Sequence, residues 1–173
     1  MHTLKHILTV LAGGFLIASC VKIENLPPEP SISFRSFEVY DTTDILGNQI
    51  KGGRLKFYFE DGDGDLGLSP QGYSDYDTIN LFIKLLRFKN NEIIPAPDND
   101  PLKPSGYRIP YMERTGQNKI LRGIIKVTFF YFFWSPADTI YYEFFVKDRA
   151  GHISNTERTC QIIINNNGIC TGE

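Results

Sequence analysis

Alternation of apolar and polar residues is the dominant pattern along this chain, and it predicts strands. Between residues 54 and 59, leucine and phenylalanine occupy every second position, and basic or tyrosine residues stand between them. A period of two is typical of a strand with one buried face. The longest alternating run is 120–133, with Arg122 and Lys126 on its polar face. Its predicted core face consists of Leu121, Ile125, Val127, Phe129, Tyr131 and Phe133.

Runs of this kind recur along the whole chain after residue 30. The predicted strands are 31–37, 54–59, 78–88, 107–113, 120–133, 139–147 and 157–164, with a further short one at 93–94. The run 78–88 also fits a helix, but its β-branched and aromatic residues favour a strand. Pro110 restricts 107–113 to the edge of a sheet, because proline has no N–H to donate. About seven strands separated by turn residues predict one antiparallel β-sandwich.

The N-terminal segment has a different pattern and is excluded from this fold. A short apolar run, 7–18, follows Lys5 and ends in Leu-Ile-Ala-Ser-Cys at 16–20. The segment resembles the lipobox of bacterial lipoproteins, which implies cleavage after residue 19 and a lipid on the thiol of Cys20. Several acyl chains contribute about 0.8 kcal/mol per buried CH₂, so such an anchor would be permanent. The alternative is an ordinary secretory signal with a chance cysteine.

The resulting division is a signal peptide at 1–19, a lipidated cysteine and proline-rich tether at 20–30, and a folded domain at 31–173. Three prolines favour an extended tether of about 3.1 Å per residue. Val21, rather than aspartate, follows the cysteine. By resemblance to other Gram-negative lipoproteins, this implies sorting to the outer membrane. Whether the domain faces the periplasm or the cell surface is left open.

Two cysteines remain in an oxidising compartment if Cys20 is lipidated. Cys160 and Cys170 lie on either side of the turn-forming Asn165–Gly168 segment. We expect a disulfide that fastens the C-terminal tail to the last strand. Two free, buried thiols are the alternative.

Composition narrows the range of partners. The hydrophobic content of 42% is that of a folded protein, and the formal charge is -2. We see no basic stripe interleaved with aromatics, so a nucleic-acid partner is not expected.

An acidic, glycine-rich loop is the main candidate for chemistry. Asp61, Asp63 and Asp65 alternate with glycines directly after the 54–59 strand. Carboxylates at alternate positions of a curled loop can point to one focus and bind Ca²⁺. Leu66 stands where the EF-hand pattern requires glycine, so the loop is not an EF-hand. The alternative is that the Asp-Gly pairs are simply tight-turn residues.

The predicted topology supplies further ligands. In an immunoglobulin-like sandwich, the loop after 54–59 and the loop after 139–147 lie at the same end. Asp75, Asp77 and Asp148 would then approach the acidic loop. We therefore expect a metal site built from Asp61, Asp63, Asp65, Asp77 and Asp148, with Ca²⁺ as its cofactor.

The last hairpin carries a second resemblance. Residues 145–155, Phe-Val-Lys-Asp-Arg-Ala-Gly-His-Ile-Ser-Asn, resemble the closing hairpin of bacterial immunoglobulin-like domains, with His152 in place of the usual asparagine. Together with the lipobox, the tether and the Asp-Gly-Asp-Gly-Asp-Leu-Gly loop, the layout resembles small lipoproteins of Bacteroidota. This implies an immunoglobulin-like domain held on an envelope membrane.

The expected role is binding or structural, without catalysis. An accessory glycan-binding or adhesion subunit is an alternative, in which Phe130, Phe132 and Trp134 form an exposed contact face. We favour burial of these aromatics by a strand covered on both sides, because most large aromatics lie in cores. A hydrolase would require His152 to face a pocket with a nucleophile in reach, such as Ser154.

Overall fold

The described part of the molecule is built entirely of strands. The structure is a computed structural model that describes residues 25–69, 79–114 and 119–172. Its strands are β1 (Ser31–Thr43), β2 (Gln49–Asp61), β3 (Leu81–Lys89), β4 (Glu92–Pro95), β5 (Leu121–Tyr131), β6 (Thr139–Val146), β7 (Glu157–Arg158), β8 (Ile162–Ile163) and β9 (Gly168–Thr171).

These strands form two packed sheets. The first sheet has the order β5-β2-β1-β9, and the second has the order β4-β3-β6-β7, with β8 also paired to β6. Every pairing between these strands is antiparallel. The prediction of an all-β antiparallel sandwich is therefore confirmed, while its immunoglobulin-like assignment stays a prediction.

The core lies between the sheets because each long strand turns every second side chain inward. Phe57 of the first sheet meets Phe144 of the second, with ring centroids 5.2 Å apart. Tyr142 stacks on Phe129 at 5.0 Å, and its hydroxyl lies 3.1 Å from that of Tyr131. Such aromatic pairs contribute about 0.5–1.5 kcal/mol each beyond the area they bury.

Apart from shifted strand ends, the structure differs from the predicted strands in three segments. The segment 107–113 makes only isolated bridges, at Tyr107 and Pro110, because proline interrupts the ladder of hydrogen bonds. The last predicted strand is split into β7 and β8, which pair separately with β6. The tail strand β9, which joins the first sheet beside β1, was not predicted.

The predicted disulfide is confirmed. Cys160 lies between β7 and β8, and its partner Cys170 lies in β9, with Cα atoms 6.3 Å apart. Because β9 belongs to the first sheet and β7 and β8 to the second, the bond joins the two sheets. It also fastens the C-terminal tail, as the sequence predicted.

The predicted signal peptide 1–19 and Cys20 lie outside the described residues. Within 25–69, 79–114 and 119–172, no helix is long and apolar enough to cross a membrane. The end of the predicted tether is described, and its Pro30 is buried beside the start of β1.

Candidate metal centre

Four aspartates from two separate loops meet at one end of the sandwich. Asp61 ends β2, Asp63 and Asp65 follow in the next loop, and Asp148 comes just after β6. Each offers one carboxylate oxygen, and these four oxygens all lie within 4.8 Å of one another. The predicted approach of Asp148 to the acidic loop is therefore observed.

Glycines allow the acidic loop to curl tightly against its neighbours. Gly64 has a φ of +70°, in the left-handed region that favours glycine. A Cβ on Gly64 would collide with the carbonyl oxygen of Lys119, and one on Gly62 would collide with that of Pro27. The alternation of aspartate and glycine is thus a packing requirement as well as a way of presenting carboxylates.

Two leucines fix the far end of the loop in the core. The side chain of Leu66 is fully buried, and its amide donates a 2.6 Å hydrogen bond to Oδ2 of Asp61. Leu68 is also buried, and its amide donates to the carbonyl oxygen of Ile109 at 3.0 Å. The leucine that excludes an EF-hand therefore has a structural role, because it folds the loop back over Asp61.

Asp148 is held by the turn that follows it. Its Oδ1 accepts hydrogen bonds from the amides of Gly151 and His152, at 2.7 and 2.8 Å. Its Oδ2 lies 2.9 Å from Nδ1 of His152. Because three nitrogen atoms contact this carboxylate, its position is fixed without a bound ion.

The two loops are also bonded to each other. The amide of Ala150 donates to Oδ2 of Asp65 at 3.0 Å, and the guanidinium of Arg149 donates to the carbonyl oxygen of Gly67. The sequence alone gave no sign of these contacts. They hold Asp65 and Asp148 together although the two residues are far apart in the chain.

Three carboxylate oxygens in this cluster have no partner. Oδ1 of Asp61, of Asp63 and of Asp65 is buried and accepts no hydrogen bond within the described part of the chain. The side chain of Asp61 is 0% exposed. A buried polar group without a partner costs about 1–3 kcal/mol, and more if it is charged. The unpartnered oxygens therefore fit a cation at the point where they meet.

The pKa values of the clustered aspartates reflect their burial and the closeness of their carboxyl groups. Burial is the largest cause that raises the pKa of Asp61 to about 6. The hydrogen bond from the Leu66 amide lowers this pKa, whereas the neighbouring carboxyl groups of Asp63 and Asp65 raise it further. Burial also raises the pKa of Asp65, with further contributions from Asp148 and Asp63. The hydrogen bond to Asp148 raises the pKa of His152. A bound cation would favour the ionised carboxylates and reverse the first two shifts.

The donor set indicates which cations fit. All four groups are carboxylates, and hard cations such as Ca²⁺ and Mg²⁺ prefer oxygen ligands. Asp77, which the sequence also assigned to the site, lies outside the described residues, as does Asp75.

The predicted contact face is only partly exposed. Phe130 and Phe132 are 54% and 58% exposed, so the interpretation that both faces of this strand are covered is wrong. Trp134 is half-buried against the core, and Nζ of Lys51 lies 5.6 Å from its ring centroid. Phe133, predicted on the core face, is 76% exposed because β5 ends before it, at Tyr131.

His152 and Ser154 do not form a nucleophile–base pair. The hydroxyl of Ser154 donates to the carbonyl oxygen of Asn155 at 2.7 Å and accepts from the amide of Val146 at 3.0 Å. His152 bonds Asp148 instead. Both side chains therefore stabilise the hairpin that carries Asp148.

Comparisons with protein-family models, with curated proteins and with solved structures gave no match to this chain.

Proposed function

We propose that this chain is a non-catalytic binding or structural domain of a bacterial envelope lipoprotein, stabilised by Ca²⁺ at the cluster of four aspartates. The observation that carries the proposal is the set of three buried, unpartnered oxygens on Asp61, Asp63 and Asp65. They come from a loop whose backbone is fixed by packing, which keeps the three aspartates close together. A cation is the simplest group that satisfies all three together.

Ca²⁺ is favoured over Mg²⁺ by the nature of the site. Ca²⁺ accepts six to eight oxygens in flexible geometry, whereas Mg²⁺ demands a near-ideal octahedron and retains its waters. Four carboxylates from two loops give a high negative charge without octahedral constraint. The remaining ligands would be backbone carbonyls or water.

The position of the site gives the cation a structural role. Ser31, the first residue of β1, pairs with Glu60, directly before Asp61. The backbone of Leu26 and Pro27 packs against Gly62 of the acidic loop. The cation would therefore fix the end of the domain from which the tether leaves, which under this proposal is the end facing the membrane.

Isothermal titration with Ca²⁺ tests the proposal. We expect the full chain to bind one Ca²⁺, and Asp63→Ala to weaken binding at least tenfold. Asp98→Ala is the matched control, because Asp98 is an exposed aspartate that pairs with Lys103 and lies outside the cluster. The absence of heat at millimolar Ca²⁺, or equal weakening by both variants, would refute the calcium site.

The lipid anchor needs its own test. Radiolabelled palmitate supplied to expressing bacteria should label the full chain and not Cys20→Ser. Label on both proteins, or on neither, would refute anchoring through Cys20. The outcome does not depend on the titration with Ca²⁺.

A further inference from the structure

The outer face of the first sheet contains one row of residues whose charges are not balanced. Strand register places Lys126 opposite Lys56, Lys56 opposite Ser36, and Ser36 opposite Thr171. The row thus consists of two ammonium groups followed by two hydroxyl groups, side by side across four strands. Like charges directly opposite each other on neighbouring strands destabilise a sheet.

Elsewhere on this face, cross-strand cations are balanced by glutamate. Arg54 bonds Glu38 across β1 and β2 at 2.9 Å. Arg122 lies 3.8 Å from Glu60 across β5 and β2. Glutamate opposite a cation is therefore the arrangement this face uses elsewhere, and the lysine row departs from it.

Neither lysine has an acidic partner in the part of the chain that the structure describes. Among the described residues, no carboxylate lies within salt-bridge distance of Lys56 or Lys126. Lys126 is exposed, and Lys56 is half-buried. The exposed sheet face therefore presents two adjacent cations without a described carboxylate partner. This arrangement is complementary to an external anion.

Aromatic rings flank the lysine row at both sides. The Tyr58 ring lies next to it, with the guanidinium of Arg35 stacked 5.2 Å from the ring centroid. Farther along, the Tyr40 ring occupies the space beside Gly52, and Phe130 pairs with the same glycine from the other strand. The face therefore combines cations and hydroxyls with apolar ring surfaces.

We propose that this face binds an acidic polysaccharide, with Lys56 and Lys126 contacting its carboxylate or sulfate groups. Ser36 and Thr171 would hydrogen-bond sugar hydroxyls, and the flanking rings would contact the apolar faces of sugar units. The lysine row runs across four strands, which suits an extended chain lying across them.

Other polyanions fit this face less well. A nucleic acid presents a dense row of phosphates and is bound by many cations, whereas this chain has a formal charge of -2 and only one unbalanced row. A bilayer favours a continuous apolar face, whereas the exposed Ile124 and Phe130 of this face are separated along β5 by Lys126 and Thr128.

The inference deepens the proposed binding role by naming a class of partner, but it does not rest on the cation site. The lysine row lies on the outer sheet face, and the four aspartates lie at the end of the sandwich. Experiments in EDTA, or with Asp63→Ala, separate the two proposals. Failure of Ca²⁺ binding would leave polysaccharide binding intact, and the reverse also holds.

Affinity electrophoresis of the full chain in mild detergent and EDTA tests the inference. Native gels containing polygalacturonate or chondroitin sulfate should retard the protein, and gels containing neutral dextran should not. We expect Lys56→Ala with Lys126→Ala to weaken retardation at least fivefold. The control pair is Lys89→Ala with Lys103→Ala, which removes the same charge at positions away from this face.

Three results would overturn the inference. The first is an absence of retardation by either acidic polysaccharide. The second is equal weakening by both pairs of substitutions, which would show a net-charge effect. The third is stronger binding to phosphatidylglycerol vesicles or to a thymidine oligonucleotide than to either polysaccharide, which would assign the lysine row to another polyanion.

Discussion

Like charges are brought together at two places in this domain, one buried and one exposed. At the end of the sandwich, four carboxylates crowd within 4.8 Å, and Asp61 is cut off from water. On the outer sheet face, Lys56 and Lys126 oppose each other across two strands, and Lys126 is exposed to solvent. Both arrangements are repulsive, but the surroundings differ.

The difference shows how burial sets the energy of repulsion. Two like charges 4 Å apart repel by about 1 kcal/mol in bulk water and by about 4 kcal/mol at an effective dielectric constant of 20. The exposed lysines are also screened by salt. The buried acids therefore need a cation to stay ionised, whereas the lysines can remain charged without a ligand.

The largest expected effect comes from changing the backbone of the acidic loop. Gly64→Ala combines a left-handed φ with a collision against the carbonyl oxygen of Lys119. We expect a loss of about 3 kcal/mol in the free energy of unfolding and loss of Ca²⁺ binding. Chemical denaturation measures the first effect, and calorimetric titration measures the second.

Gly47→Ala is the matched control. Gly47 has a φ of +85°, but a Cβ there would meet no atom within 4 Å. The loss should be about 1 kcal/mol, with Ca²⁺ binding unchanged. Equal losses at both glycines would contradict the view that packing fixes the acidic loop.

The pH dependence of stability should reveal the buried acids. The pKa of Asp61 is raised from 3.8 to about 6 on folding. Between these values the folded state binds more protons than the unfolded state, so stability falls as pH rises. In EDTA we expect this group to lose about 2 kcal/mol of its contribution to stability between pH 4 and pH 6.

Excess Ca²⁺ should remove that loss, because the cation replaces the proton between the carboxylates. Urea denaturation at each pH, with and without Ca²⁺, measures both curves. Curves that have the same dependence on pH with and without Ca²⁺ would show that the acids are not held together in the ion-free protein.

Removing one charge from the aspartate cluster should have opposite effects with and without the cation. Asp63→Asn relieves repulsion in the ion-free protein and should raise its free energy of unfolding by about 1 kcal/mol. In excess Ca²⁺ the same variant should be less stable than the wild type, because it has lost a ligand. Thermal denaturation in EDTA and in Ca²⁺ shows whether this change of sign occurs.

The smallest effect is expected at the exposed pair. Lys126→Glu converts a repulsive cross-strand pair into an attractive one and should stabilise the sheet by about 0.5 kcal/mol at low salt. The gain should decrease in 1 M NaCl, where screening is strong. A gain that does not change with salt would show that the lysines do not repel each other.

Much of the fold could be predicted from alternation, because a half-buried strand must place apolar side chains at every second position. The runs around Phe57 and Phe129 are examples, and both lie in the core. The tail strand β9 was missed because Gly168–Thr171 is too short and too exposed to show a period. Its position depends on pairing with β1 and on the disulfide.

The site was predictable only in part. The Asp-Gly alternation identified the acidic loop, and the order of strands brought Asp148 to it. The role of Leu66 could not be predicted, because its amide reaches Asp61 only after its side chain is buried. Phe130 is exposed because it lies on the outer face of the first sheet, and Phe132 lies beyond the end of β5. A local pattern does not reveal that no further described layer covers this face.

Crystals of the protein grown with Ca²⁺ would test the central claim most directly. We predict one anomalous-scattering peak bonded to Oδ1 of Asp61, Asp63 and Asp65, at the 2.3–2.6 Å typical of Ca²⁺–oxygen distances. A map at saturating Ca²⁺ with no peak between these oxygens, or with the carboxylates turned outward to solvent, would contradict the account.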